Sequence, residues 1–171
     1  FLIIPLITVM SRKMGKKKAF MVSQFISIIG YILFWFLFVP GKPHLFLYAL
    51  PFHSFGIGSL FTIMMSMTAD VCDLDELNTG KRREGVLGAV YWWMVKLGYG
   101  VAALLGGLFL MIVGFDAANV TESAVTGMRL FYTLLPIAGV IGAVIIMKNY
   151  DITEQKAAEI KKALAEQRKQ S

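Results

Sequence analysis

Long apolar segments alternate with short charged segments along this chain. The apolar segments, each with at most one Asp, Glu, Lys or Arg, are residues 1–10, 19–39, 43–69, 85–113 and about 128–147. The second of them has 21 uncharged residues. At ~1.5 Å per residue, this length is enough to cross a hydrocarbon core of about 30 Å. The pattern predicts an all-α, polytopic membrane protein with four complete spans, preceded by half a span.

The composition supports a membrane protein. The chain is 57% apolar and only 16% charged, and its mean hydropathy is +0.65, whereas about a quarter of the residues of a soluble domain are charged. The chain opens on Phe1, inside an apolar run. We therefore expect a fragment that lacks its N-terminal part, with membrane helices at 1–148 and a polar cytoplasmic tail at 149–171.

The 17 Lys and Arg residues are distributed unevenly among the connecting segments. Five lie in 11–18, three in 70–84 and six from 148 onward, whereas the opposite connectors hold Lys42 and Arg129. Basic residues favour the cytoplasmic side of a membrane, so this bias predicts that the C-terminus is cytoplasmic. The net charge of +6 does not indicate a nucleic-acid partner, since the aromatic–basic pattern of RNA- or DNA-binding modules is missing.

One lysine lies in the middle of the fourth apolar segment. Lys96 is the only Asp, Glu, Lys or Arg between Glu84 and Asp116, and about 18 Å of helix separates it from Glu84. An ammonium group at this depth is costly, and it is tolerated where it faces a bundle interior or a watery cavity. We predict that Lys96 handles a solute or an ion. The alternative is that it only bridges helices.

Three aromatic residues cluster within one helical turn, just before this lysine. They are Tyr91, Trp92 and Trp93. Aromatic faces can stack on the C–H face of a sugar ring, and ordinary packing or an interfacial aromatic belt explains them equally well. Both interpretations stay open at this point.

Opposite charges are concentrated in the predicted loop 70–84. Asp70 and Asp73, with Asp75 or Glu76, precede the basic triplet 81–83. The favoured interpretation is a network of ion pairs that joins the cytoplasmic ends of helices and breaks when a gate opens. The other is a magnesium–diphosphate site of a membrane-embedded prenyl- or phospho-transferase, because an Asp-x-x-Asp pair can hold Mg²⁺.

The tail after residue 150 has a helical pattern. Asp151 or Thr153 can cap a short helix, whose thin apolar stripe consists of Ile152, Ala157, Ile160 and Leu164. The favoured interpretation is a solvated cytoplasmic helix, and the alternative is contact with anionic lipid through its lysines.

Proline and glycine interrupt two of the apolar segments. Pro51, Gly56 and Gly58 lie in the third segment and Pro136 lies in the last. Broken helices around a midplane charge are typical of alternating-access carriers. His53 is more often a packing or hydrogen-bonding residue than a proton relay, and proton coupling through it stays open.

The charged segment and the lysine together resemble a known family. The run from Ala69 to Gly85, ADVCDLDELNTGKRREG, is followed by YWWMVKLG at 91–98. This long motif with fixed spacing resembles the glycoside–pentoside–hexuronide:cation symporters of the major facilitator superfamily. The basic run at 12–18 also resembles the short cytoplasmic signature of major facilitator transporters. The resemblance covers essentially the whole chain and implies the end of helix 8 and helices 9 to 12 of a twelve-helix carrier.

The resemblance also implies roles for individual residues. Lys96 matches a lysine that lies beside the sugar and cation sites and is needed for transport. We expect the substrate-binding residues to be Phe61, Tyr91, Trp92 and Val95. We expect the cytoplasmic gate ion pairs to involve Asp70, Asp73, Glu76, Arg82 and Arg83.

One departure leaves the substrate open. A well-known sugar carrier of the family has a polar pair where this chain has Tyr91 and Trp92. The family also carries pentosides, glucuronides and, in animals, lysolipids. A non-sugar solute such as a lysolipid is therefore an alternative substrate.

Taken together, the sequence predicts a secondary transporter and not an enzyme. The expected activity is symport of a sugar or glycoside with Na⁺ or H⁺ by alternating access, in the bacterial inner membrane. We expect no cofactor besides the coupling ion and no metal site. The expected partners are the solute, the cation, membrane lipid and the missing N-terminal half of the same protein.

Overall fold

A computed structural model describes residues 3–116 and 118–170. In these ranges the chain forms six α-helices and a short 3₁₀ helix at Pro43–Tyr48. The α-helices are α1 (Ile3–Met14), α2 (Lys16–Leu37), α3 (Leu50–Thr79), α4 (Glu84–Ile112), α5 (Glu122–Lys148) and α6 (Glu154–Gln170). Four of them, α2 to α5, are long and apolar enough to cross a membrane.

The prediction of a turn over 11–18 is wrong, because most of these residues are helical. Helix α1 continues to Met14 and α2 begins at Lys16, so the two helices are separated only by Gly15. Gly15 adopts a φ of 84°, which a residue without a Cβ reaches at little cost. The direction of the chain therefore changes at a single residue, and the lysines that follow belong to the first turn of α2.

The predicted loop at 70–84 is also shorter than expected. Helix α3 runs to Thr79, and Gly80 ends it in the left-handed conformation, with its N–H donating to the Glu76 carbonyl at 2.8 Å. A glycine of this kind is a common helix terminator. Charge marks where a helix leaves the membrane, but it does not end the helix. Most of the acidic residues of the motif consequently lie on helical turns.

Helices α2, α3 and α5 form the centre of the fold, and α1 lies against α3. One buried cluster joins Ile7 of α1, Phe20 of α2, Ile63 of α3 and Met147 of α5. A second cluster joins Tyr31 and Phe34 of α2 to Val140 of α5 and residues around the 3₁₀ helix. Helix α2 therefore packs against α3 and α5 near both of its own ends.

Helices α2 and α3 also share buried polar contacts. The Gln24 side-chain amide donates to the Ser59 hydroxyl at 2.9 Å and to the Gly56 carbonyl at 3.3 Å. Gln24 and Ser59 are almost fully buried. A Cβ added at Gly56 would lie 2.8 Å from the Ser27 Cβ, so the helices approach closely here. Small residues that permit such an approach, with polar bonds across it, are typical of helix pairs in membranes.

Helix α5 begins earlier than the sequence predicted. The expected start was near residue 128, but Thr121 caps the helix by accepting a hydrogen bond from the Ala124 amide at 3.2 Å. The cap precedes the predicted apolar segment by about two turns. Pro136 lies inside the helix.

The tail helix α6 is not a freely solvated helix. Its stripe of Ile152, Ala157, Ile160 and Leu164 is buried and packs against Leu74, Leu77 and Tyr150. Thr153 caps the helix by accepting from the Lys156 amide at 3.2 Å. The stripe was identified correctly, but the freely solvated helix was wrong, because the extension of α3 beyond residue 70 provides a protein surface for the stripe. Contact of the exposed tail lysines with anionic lipid stays a prediction.

Candidate functional site

The predicted substrate-binding residues lie on two helices that contact one another. Phe61 is a half-buried residue of α3, whereas Tyr91, Trp92 and Val95 belong to α4. The two helices pack against each other through a small area. The Tyr91 hydroxyl lies 3.5 Å from the carbonyl oxygen of Leu60, the residue before Phe61. The structure therefore brings Tyr91 close to the backbone that carries Phe61.

Lys96 occupies the middle of α4, and its side chain is exposed in the described part of the chain. None of the residues of α4 is buried among the described residues. No carboxylate in 3–116 or 118–170 lies within ion-pair distance of the Lys96 ammonium. The expectation that this face meets other helices stays a prediction.

The aromatic rings beside Lys96 are arranged edge to face. The centroids of Tyr91 and Trp92 are 5.4 Å apart and their planes are inclined by 79°, a favourable geometry for an aromatic pair. Trp92 and Trp93 are both exposed. The rings present apolar faces on the same helix as a cation, which is an arrangement that can hold a polyhydroxylated ring and a charged partner together.

The charged segment contains one buried ion pair. Asp70 is 2% exposed and pairs with the ammonium of Lys16, from the first turn of α2. Lys161 of α6 approaches the other carboxylate oxygen at 3.8 Å. The Asp70 charge therefore connects three helices. Because its carboxylate is already neutralised by lysines, Asp70 is poorly placed to hold Mg²⁺ for a transferase.

A second group of charges surrounds Glu76 at the end of α3. Its carboxylate accepts from Arg82 at 3.1 Å and from Arg168 of α6 at 2.7 Å. Arg82 also pairs with Glu84 at 2.7 Å. The hydrogen bond and charge of Glu84, followed by the charge of Glu76, raise the pKa of Arg82. The arginine therefore remains cationic at any physiological pH.

Of the two remaining predicted gate residues, Arg83 forms an ion pair and Asp73 does not, among the residues that the structure describes. Arg83 pairs with Asp75 at 2.5 Å, and the hydrogen bond to this aspartate raises the pKa of the guanidinium group. Asp73 is half-buried and makes no ion pair within the described part of the chain. Helical spacing accounts for this difference, because Asp73 and Asp75 point to different sides of α3.

Sequence reasoning missed three basic partners in this network. The sequence assigned Lys16 to a basic cytoplasmic run and Lys161 and Arg168 to the polar tail, with no partner for any of them. The ion pairs join residues that are 54, 91 and 92 positions apart. The one available signal was the apolar stripe of α6, which requires a covering surface.

Comparison with known proteins identifies the family. The family model described as "MFS/sugar transport protein" matches residues 1–154. The chain belongs to this family. The match confirms the resemblance to cation symporters of the major facilitator superfamily, and it confirms the all-α membrane fold.

Three relatives illustrate the membership of this family. The chain is 30% identical over 157 residues to a glucuronide carrier protein homolog of Escherichia coli, which covers 91% of the chain and 34% of the relative. It is 35% identical to an uncharacterized symporter of Synechocystis, over 73% of the chain and 24% of the relative. It is 25% identical to an isoprimeverose transporter of Lactiplantibacillus pentosus, over 75% of the chain and 27% of the relative.

The chain thus spans about a third or less of the length of these family members. No solved structure matches it. The relatives are named as carriers, symporters and transporters and not as enzymes, so the comparisons favour transport over a transferase reaction.

Proposed function

We propose that the complete protein is a secondary active transporter that carries a sugar or glycoside together with Na⁺ or H⁺ by alternating access. The observation that carries the proposal is Lys96, a single cation in the middle of a spanning helix of a chain that belongs to a sugar transport family. Intramembrane cations of this kind are functional sites by default. The names of relatives, including a glucuronide carrier protein homolog and an isoprimeverose transporter, support a glycoside as substrate.

In this proposal the exposed face of α4 is one wall of the transport site. Tyr91 and Trp92 stack on the apolar face of the sugar, with Phe61 and Val95 completing the wall. Lys96 donates hydrogen bonds to substrate hydroxyls, and its charge is balanced by a carboxylate on helices of the other half of the protein. Binding of the coupling cation to that carboxylate competes with the lysine, which links the ion to the sugar.

The charged residues at the end of α3 form one side of the cytoplasmic gate of this transporter. The pairs of Asp70 and Glu76 with Lys16 and Arg168 join α2, α3 and α6, whereas Arg82 and Arg83 join α3 to the loop before α4. Asp73 is left to pair with the other half of the protein when the cytoplasmic side is closed. Rocking of the two halves would break that contact in each transport cycle.

The proposed orientation places these pairs and the C-terminus in the cytoplasm of a bacterial inner membrane. Basic residues at 11–18 and beyond 148 support this orientation. Membrane helices at 1–148 and the tail at 149–171 would then be the end of helix 8, helices 9 to 12 and a cytoplasmic extension. A fluorescent reporter that matures only in the cytoplasm, fused after Ser171, should be bright.

Uptake by the full-length protein in proteoliposomes tests the function. A panel of labelled glycosides, including a glucuronide and a xylose disaccharide, is offered with and without an inward Na⁺ or H⁺ gradient. We expect gradient-driven accumulation that Lys96→Ala abolishes and that Lys42→Ala, a lysine in a connector, leaves intact. Accumulation that persists in Lys96→Ala would overturn the role of this lysine.

A non-sugar solute is the second candidate, and Tyr91 and Trp92 favour it. Both are large aromatic residues on the proposed wall, and they can accommodate an apolar substituent as well as a sugar ring. If no glycoside accumulates, lysolipid uptake is measured with the same vesicles. Lysolipid uptake that depends on Lys96 would replace the sugar in the proposal and leave the transport site in place.

A further inference from the structure

A cavity of about 730 Å³ opens where α1, α2, α5 and the start of α6 meet. Its lining is strongly basic, and the basic residues are Arg12, Lys13, Lys16, Lys17, Lys18 and Lys148. It also contains three carboxylates, which belong to Asp70, Asp151 and Glu154. The formal charge of this basic cavity is therefore six positive against three negative.

Two of the lysines are already engaged inside the protein. Lys16 pairs with Asp70. The Lys17 ammonium donates to the carbonyl oxygens of Lys148 and Tyr150, at 2.8 and 2.7 Å. Lys17 thereby satisfies carbonyl groups at the C-terminal end of α5, which is a common role for a lysine at this place.

The three carboxylates are also engaged. Asp70 is held by Lys16, and Asp151 pairs with Lys156 at 3.1 Å. Glu154 accepts from the backbone amide of Lys16 at 3.2 Å, at the N-terminus of α2. Asp70 and Asp151 therefore have cationic partners, whereas Glu154 bonds a neutral amide and keeps its negative charge beside the other cations of the cavity.

Four cations remain available to an external anion. They are Arg12, Lys13, Lys18 and Lys148, which are all exposed and make no ion pair within 3–116 and 118–170. A concave site with four such cations suits a phosphate group. Phosphate could come from a soluble anion or from a lipid headgroup, and the surroundings of the cavity distinguish the two sources.

Exposed apolar stripes lead from this cavity into the membrane. On α2, Lys18 is followed at helical spacing by Val22, Phe25 and Ile29, which are all exposed, Phe25 by 57%. On α5, Lys148 is preceded in the same way by Ile145 and Ile141, which are exposed by 57% and 50%. Lys18 and Lys148 each thus lie at the end of an exposed apolar stripe, and a phosphate bound there has room for acyl chains beside the stripe.

The two stripes belong to helices that are neighbours. Phe20 of α2 and Met147 of α5 lie in one buried cluster, directly beside the cavity. The cavity therefore lies where α2 and α5 meet. The negative charge of lipid headgroups attracts basic groups at this level, with about 1 kcal/mol for each Lys or Arg.

We propose that this cavity binds the phosphate headgroup of an anionic phospholipid, whose acyl chains lie along the exposed stripes of α2 and α5. The site is separate from the transport site on α4. It would couple the lipid composition of the leaflet to the position of α6, because Glu154 and residues 150–153 before α6 form one wall of the cavity.

Native mass spectrometry of the full-length protein tests the proposal. The protein is taken from nanodiscs that contain phosphatidylglycerol and phosphatidylcholine, and the retained lipid is identified. The test variant is Lys18→Gln/Lys148→Gln. The matched control is Lys162→Gln/Lys169→Gln, which removes the same charge from exposed positions of α6 outside the cavity.

We expect the wild type and the control to retain one phosphatidylglycerol in preference to phosphatidylcholine. In the test variant, the ratio of retained phosphatidylglycerol to phosphatidylcholine should fall about tenfold. Equal losses in the two double variants would overturn the proposal, because they would indicate attraction by net charge alone. Two further outcomes would also overturn it: displacement of the lipid by millimolar inorganic phosphate, and a wild type that retains no phosphatidylglycerol. In the first case the site would belong to a soluble anion.

Discussion

Glu76 and Arg168 are 92 positions apart, and the Glu76 Oε1 and the Arg168 Nη2 lie 2.7 Å from one another. The second carboxylate oxygen of Glu76 accepts from Arg82 at 3.1 Å. One carboxylate at the end of α3 therefore holds both the loop to α4 and the tail helix α6. Arg168 is 56% exposed, and exposed pairs contribute only about 0–1 kcal/mol. The position of α6 must therefore depend mainly on its apolar stripe.

Leu164→Asp should release α6 from α3. Leu164 is 5% exposed, and loss of a buried leucine costs about 2–5 kcal/mol even when alanine replaces it. A buried carboxylate adds to this cost. Limited trypsin digestion of the full-length protein should then cleave after Lys161 and Lys162 at least tenfold faster than in the wild type.

Gln167→Asp is the control for this substitution, because it adds the same charge at an exposed position of α6. It should be digested at the wild-type rate. Equal protection of Leu164→Asp would contradict the conclusion that the apolar stripe holds the helix.

Lys16→Met should destabilise the protein more than removal of both members of the ion pair. The single substitution leaves the buried Asp70 carboxylate with only Lys161 at 3.8 Å, and an uncompensated buried charge costs about 3–5 kcal/mol. Lys16→Met/Asp70→Leu removes the uncompensated charge as well. Thermal unfolding of the full-length protein in detergent should give the lowest Tm for the single variant. A double variant that is equally unstable would show that the pair itself supplies the stability.

The spans could be predicted from the sequence because the membrane imposes a length and a polarity on each of them. The segments 19–39 and 85–113 correspond closely to α2 and α4. The continuation of α3 to Thr79 could not be found in this way, since water and membrane both permit a helix there. It depends on the covering helix α6, which is more than 70 positions away in the sequence.

The candidate site was predictable to a different extent. Lys96 is conspicuous because charge is rare in spanning helices. The acidic residues of 70–84 indicated ion pairs, but their partners Lys16 and Arg168 are determined by tertiary packing. No local pattern specifies which of 17 basic residues meets a given carboxylate.

Gly30→Ala should destabilise the contact between α2 and α3 by steric overlap. A Cβ at Gly30 would lie 2.7 Å from the backbone nitrogen of His53 and 3.1 Å from the carbonyl carbon of Phe52. Backbone atoms cannot rotate away as a flexible side chain does, so overpacking should cost about 1–3 kcal/mol. Unfolding of the full-length protein in detergent should occur at a lower temperature, by several degrees.

Gly139→Ala provides the comparison, because nothing lies within 4 Å of a Cβ at this position of α5. Alanine favours a helix over glycine by roughly 0.5–1 kcal/mol, so Tm should be unchanged or slightly higher. A similar decrease of Tm in both variants would mean that the close approach of α2 and α3 at Gly30 is not the cause of the destabilisation.

Glu76→Gln should loosen the loop between α3 and α4 without releasing α6. The substitution removes the negative charge from the contacts with Arg82 and Arg168, although Arg82 retains Glu84 at 2.7 Å. Arg82 and Arg168 are both largely exposed, so loss of the two contacts should raise the population of an open loop by roughly fivefold at most. Hydrogen exchange of the amides at 77–83 should accelerate by this factor in the full-length protein. Exchange in α6 should remain slow, because Ile160 and Leu164 are still buried.

Glu159→Gln, at an exposed position of α6, is the control and should change neither rate. Unaltered exchange at 77–83 in Glu76→Gln would mean that the left-handed Gly80 and its bond to the Glu76 carbonyl fix the loop without help from the charges.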